Sequence, residues 1–158
     1  GVDDDVNIYF TDNHILFEFD STIVVSRLIE ANNYFDTDKM ISNDYKTKIA
    51  INKKEMADCI DRATLLIKDG DKKPVFLSIK DTELELNINT FIGSMDESIP
   101  ISKEGEDILI SFNPKFLIDI LRVLDVEQVE MYFSNPKAPC FIRDEEGSYI
   151  YIVLPVVQ

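Results

Sequence analysis

Apolar and polar residues alternate along most of this chain, and only two stretches change to a helical period. The clearer is FNPKFLIDILRVLD, residues 112–125. Asn113 suits an N-cap, and Pro114 suits the first helical position, where its missing N–H costs nothing. At about 100° per residue, Phe116, Leu117, Ile120, Leu121, Val123 and Leu124 gather on one broad face, with Lys115 and Arg122 opposite. The second stretch is NKKEMADCIDRATLLIKDGDKKP, residues 52–74. Asn52 and Glu55 make a capping box, and Gly70 marks a stop. Met56, Cys59, Ile60, Ala63 and Ile67 share a face here. Leu65 falls opposite Met56, among Lys54, Asp58, Asp61 and Lys68. A single exposed leucine is commonplace; a contact with another chain is the rival reading.

Alternation over VNIYFTD, HILFEF and TIVVSRLI predicts three strands, turning at Asp12-Asn13-His14 and at Asp20-Ser21. Residues 30–44 lose the period and read as an extended linker. YKTKIAI predicts a strand before the first helix, and PVFLSIK, ELELNINT and roughly GSMDESIPI follow it. EDILISF precedes the second helix, and VEQVEMYFSN, APCFIRD and GSYIYIVLPVV follow that one. Residues 45–101 and 107–155 therefore read alike: strand, helix, strand, strand, strand. The run Val6–Asp12 matches Val129–Asn135 in residue type at nearly every position, so the opening strands read as the tail of a third unit. A tail lacking its own first strand and helix predicts that the chain is a fragment of a larger repeated array. The fold class expected is α+β, with two β-α-β-β-β units paired in one domain, both helices on one face and antiparallel sheets outside.

That pairing turns both polar helix faces the same way. Lys54, Arg62 and Lys68 from one helix and Lys115 and Arg122 from the other then form a thin basic surface. Asp58, Asp61 and Asp119 sit beside them, so a solvated face of mixed charge is the competing reading. The net charge of −14 over 158 residues argues against a simple nucleic-acid binder, which shows a basic domain. Any contact with DNA must therefore be local. The longest apolar run, YIYIVLPVV, is short and holds a proline, so no membrane span is expected. Gly1-Val2-Asp3-Asp4-Asp5 does not read as a secretion leader. Cys59 and Cys140 fit no metal spacing and read as reduced, packed thiols, which points to the cytoplasm.

His14, the only histidine, lies beside a turn with no catalytic or ligand partner near it in sequence. Asp3–Asp5 reads as a frayed acidic end, and Asp144-Glu145-Glu146 as a solvated turn. No phosphate-cradling glycine loop and no nucleophile constellation is present. An enzyme is thus poorly supported, and neither a cofactor nor a metal is expected.

FNPKFLIDILRVLD, PCFIRDEEG and the terminal YIVLPV resemble the last domain of the bacterial DNA polymerase III beta-subunit family, the replicative sliding clamps. SRLIEANNYFDTDKMI is similar to that family's junction between second and third domains. The resemblance runs essentially end to end and implies residues 1–38 as the close of the second domain with its linker, and 39–158 as the third. It implies a non-enzymatic processivity factor. In this family, two three-domain protomers close head to tail around duplex DNA, with helices lining the hole. Lys54, Arg62, Lys68, Lys115 and Arg122 would be DNA-facing, holding DNA weakly while the ring holds it by topology.

The resemblance also implies a clamp loader and docked polymerases and other replication proteins, which bind through short linear motifs. The third-domain wall of that docking pocket would be Phe35, Lys39, Met40, Asn113, Phe116, Pro139, Ile152, Val153, Leu154, Pro155 and Val156. An apolar groove rimmed by Lys39 suits a short hydrophobic peptide; plain core packing is the rival reading for Phe116 and Leu154. Leu65 and Leu66 match the stretch used at the head-to-tail seam. The chain departs from the family at Phe35 and Ser42, where prolines are usual, so the pocket lip is expected to differ. Without the first domain of a second protomer, this chain is not expected to close a ring, and peptide binding by it alone is expected to be weak or absent. The alternative from another class is an unrelated acidic α+β protein-interaction domain with no DNA role.

Overall fold

In the computed structural model, the described residues are 5–29, 41, 44–68, 71, 73–144 and 146–157. They fall into two compact units, Gly1–Ser42 and Asn43–Gln158. The first holds an antiparallel sheet of β1 (Asn7–Phe10), β2 (His14–Phe19) and β3 (Thr22–Arg27), in that order. Asn7 faces Glu18 and His14 faces Arg27. Asp20, at φ 50°, makes the tight turn that aspartate tolerates. His14 opens β2 on the exposed side, where its N–H donates to Thr11 Oγ1. Apolar residues stand exposed along these strands, among them Ile8, Tyr9, Phe10, Ile23, Val24 and Val25.

The second unit is the repeat expected from the sequence. Its first half runs β4 (Thr47–Asn52), α1 (Lys53–Thr64), β5 (Val75–Lys80), β6 (Glu83–Thr90) and β7 (Gly93–Gly105). Its second half runs β8 (Ile108–Phe112), α2 (Pro114–Val123), β9 (Gln128–Phe133), β10 (Cys140–Arg143) and β11 (Ile150–Val153). One curled antiparallel sheet, in the order β11-β10-β9-β4-β7-β6-β5-β8, backs both helices. The linker around residues 30–40 and Gly70 lie outside the described residues.

The halves interlock by exchanging strands. β4 pairs with β9 of the other half as well as with β7 of its own. β8 repeats this, pairing with β5 of the other half. Its counterpart to the β4–β7 pairing is the tail beyond β11: Val156 N–H donates to Ser111 O at 2.8 Å, and Ser111 Oγ donates back to Val156 O at 2.8 Å. The curled sheet is thereby bridged from its last strand to its first. Proline marks the change of partner both times. Pro100 is the last residue of β7 facing β6, after which Ile101 faces Ile51 of β4. Pro155 stands between β11 and Val156 in the matching motif, Leu-Pro-Val against Ile-Pro-Ile. A residue without an N–H fits where a strand leaves one ladder for another.

Inside the curl, Met56, Cys59, Ile60 and Ala63 of α1 and Pro114, Leu117, Ile118 and Leu121 of α2 are buried. They pack with alternate residues of the strands, such as Ile49, Leu77, Leu86 and Met131. Both caps form as expected: Asn52 accepts from Glu55 N–H, and Asn113 from Lys115 N–H. The helices run antiparallel, because Lys53 Nζ at the start of α1 donates to Leu124 O just past the end of α2 at 2.8 Å. A cation there also complements the helix dipole. Outside the sheet, Tyr132 is nearly covered, with Lys48 Nζ 5.5 Å and the Arg143 guanidinium 4.7 Å from its ring centroid and Tyr45 edge-on.

Three details differ from the sequence reading. α1 stops at Thr64 rather than near Gly70, and Leu65, Leu66 and Ile67 follow in tight turns bonded three residues back. The apolar stripe of α2 is narrower than its composition implied. Ile118 is in the core, whereas Phe116 and Val123 are 55% and 66% exposed. Spaced seven apart, they share the flank of the helix that neither α1 nor the sheet covers. β7 also runs on to Gly105, because its second half supplies the ladder for β4.

Leu117→Ala should therefore cost about 2–5 kcal/mol in denaturant unfolding, whereas Val123→Ala should stay within about 0.5 kcal/mol. Equal losses would refute the narrow stripe. Ser111→Ala, which deletes one of the two bonds bridging the sheet, should cost about 1 kcal/mol in the same measurement.

Candidate functional site

The five candidate cations are all exposed, but the structure does not treat them alike. Lys68, Lys115 and Arg122 come together in one groove of about 610 Å³ between the end of α1 and the start of α2, with Lys73 as a fourth cation. Asp61, Asp71 and Asp119 line it too. Lys54 lies at the other end of α1, in a second groove with Lys53, Glu55, Asp58 and Glu127.

Arg62 turns away to β7, where Nε and Nη2 grip both oxygens of Glu97 at 3.1 and 2.7 Å. Arg122 Nη2 reaches across the helix pair to Asp61 Oδ1 at 3.1 Å. Lys54, Lys68 and Lys115 have no carboxylate partner among the described residues. Of the carboxylates weighed from the sequence, Asp61 thus pairs with Arg122, while Arg62 is taken by Glu97 of β7.

Arg62 and, after it, the Cys59 thiol hydrogen-bond Glu97 and hold its carboxyl below the ordinary range. Burial, helped by Glu97, pushes the Cys59 thiol up to about 12, and burial likewise raises Cys140. Both cysteines are free thiols in the core, unsuited to nucleophilic work. Among the described residues no group of His, Cys, Asp and Glu is arranged to hold a metal, and no helix is long and apolar enough to cross a membrane.

The apolar candidates divide as well. Phe116 and Leu154 are 55% and 61% exposed, so the core-packing reading fails for both. The Ser111–Val156 bonds set the tail beside the strand that leads into Asn113, and α2 also packs against β11. Pro139 precedes Cys140, which faces Val153, so it lies across from Leu154 by register. Pro139, Ile152, Pro155 and Val156 are half-buried. Val153 departs from the expectation: strand alternation turns it inward, and it is a core residue at 3% exposure. Phe35, Lys39, Met40 and Ser42 lie outside the described residues.

Leu65 caps α1 at 78% exposure, while Leu66 is half-buried against Gly93. Two neighbours were missed from sequence. Phe91 and Ile92, 97% and 52% exposed, form the turn between β6 and β7, and Lys73 Nζ lies 5.6 Å from the Phe91 ring centroid. Two bulky apolar residues in a hairpin turn, where polar ones are usual, were the signal available. Beside them, β7 from Gly93 to Pro100 pairs only with β6, so its other edge has no partner among the described residues.

A family model for the C-terminal domain of the DNA polymerase III beta subunit matches residues 38–157. The chain is 37% identical over 155 residues to the beta sliding clamp of Bacillus subtilis and 31% identical over 157 residues to that of Staphylococcus aureus. It spans 96% and 98% of itself in these matches but only 41% of each relative. Among solved structures, a chain from Eubacterium rectale assigned to the DNA polymerase III beta subunit matches at TM-score 0.85 with 62% identity, over 99% of this chain and 42% of that one. The Bacillus subtilis sliding clamp matches at 0.82 with 36% identity, over 97% and 41%.

Lowering pH should test the Arg62–Glu97 pair. A carboxyl whose folded value is depressed contributes stability that is present above its unfolded value, about 4.3, and is lost as pH falls through the folded value. Glu97→Gln should flatten the acid limb of stability against pH, and an unchanged limb would exclude the pair as its source. In the native state, Cys59 and Cys140 should resist a thiol reagent that labels both after unfolding.

Proposed function

The chain belongs to the DNA polymerase III beta subunit family, and from that footing we propose that it is the C-terminal part of a ring-forming sliding clamp. In this reading it is a non-catalytic, cytoplasmic processivity factor of DNA replication. Membership of the family is incompatible with an unrelated acidic domain. The observation that carries the reading is the helix pair: two antiparallel helices, backed by one curled sheet, present exposed Lys54, Lys68 and Lys115 on an acidic body. A net charge of −14 disfavours general adhesion to DNA, while a few cations on one surface suffice where a closed ring holds the duplex.

Two further surfaces take roles in the same proposal. Exposed Phe116 and Leu154, with Pro139, Ile152, Pro155, Val156 and Asn113, are the wall against which a short apolar motif of a polymerase or another replication protein docks. Leu65 and Leu66, enlarged by Phe91, Ile92 and the open edge of β7, form the seam with a second protomer. An exposed apolar cluster beside an unpaired strand edge is what strand addition across an interface uses.

The test extends the chain with the coding sequence preceding it in its gene. The extended protein should be a stable dimer that slides on linear duplex DNA, escapes from free ends and is retained when the ends are blocked. Leu65→Lys with Phe91→Lys should yield monomers that are not retained. Leu154→Ala with Val156→Ala should weaken peptide docking about tenfold or more and leave the dimer intact. Retention by monomers, or equal retention with ends open and blocked, would refute the ring.

A further inference from the structure

Resting on the proposed DNA-facing role of the helix pair, we propose that Asp61 is a latch that withholds Arg122 from the phosphates of duplex DNA. The lysines thus carry the standing contact, and the arginine joins only when a phosphate displaces the carboxylate. Arg122 and Asp61 meet through one contact, 3.1 Å from Nη2 to Oδ1, with the two side chains 62% and 50% exposed. Such a pair contributes little net and is open to exchange. A phosphate can offer the guanidinium two parallel bonds in place of one.

Arg62 is the contrast. It is held by both carboxylate oxygens of Glu97, which is only 35% exposed, so it stays a structural tie. Arg122 shares its groove with Lys68 and Lys115, which have no carboxylate partner among the described residues. The unlatched arginine would therefore add to an existing cationic site. For a clamp that must move along DNA, the latch keeps residence on any one phosphate short.

The experiment is a double-mutant cycle on the whole chain: Asp61→Asn, Arg122→Gln and the pair. A fluorescent duplex is followed by anisotropy across a salt series starting at about 20 mM, where screening is weak. Asp61→Asn should tighten binding about threefold or more and steepen the slope of log K against log salt by about 0.9, the increment for one added phosphate contact. In the Arg122→Gln background, the same change should have little effect. Equal tightening in both backgrounds means that Asp61 acts only as a repelling charge, which overturns the latch. Binding by the parent chain with no change in Asp61→Asn also overturns it, and leaves the DNA-facing role standing. Absence of duplex binding by every variant at the lowest salt overturns that role, and the latch with it.

Discussion

The structure depends on one closed arrangement: a curled sheet whose halves exchange strands and whose ends are bridged at Ser111 and Val156 around two antiparallel helices. Neither helix could bury its apolar stripe alone. Ten to twelve residues of helix are marginal in water, and stability at that length comes from packing. Met56, Ile60, Leu117 and Leu121 are withdrawn from water only because the sheet wraps them from outside and each helix covers the other. The same wrap fixes which helix faces stay wet. It leaves Lys54, Lys68, Lys115 and Arg122 exposed on the helices.

Partner exchange between the halves also explains the exposed edges. β7 and the chain from β11 onward each serve two ladders in succession, with a proline at the change. While β7 pairs with β6, its other side has no partner among the described residues, and the adjoining turn carries Phe91 and Ile92. A surface of this kind is a liability in an isolated domain unless another chain covers it. Within the second unit, exposed apolar residues stand at that turn, at Leu65, and at Phe116 and Leu154 among others.

Charge is distributed with the same economy. The two arginines of the helices are tied to carboxylates, and the three lysines have no such partner among the described residues. Under the proposed clamp role, strong phosphate contacts would add little to a topological hold and would slow movement along DNA. The Arg122–Asp61 pair weakens the local field beside the lysines without removing it.

From the residues alone came the repeat of strand, helix and three strands, the caps at Asn52 and Asn113, the family and the surface position of the lysines. These depend on local periodicity, on short-range hydrogen bonding and on the order of motifs, all of which are written along the chain. The end of α1 at Thr64, the exposure of Phe116 and Val123, the inward turn of Val153 and the pairing of Arg62 and Arg122 with Glu97 and Asp61 were decided by tertiary structure. A helical period shows which residues can share a face, but the width of that face depends on what lies against it. A net charge likewise leaves open which carboxylate stands 3.1 Å from which guanidinium. Those distances exist only once distant segments have been brought together by the closing of the sheet.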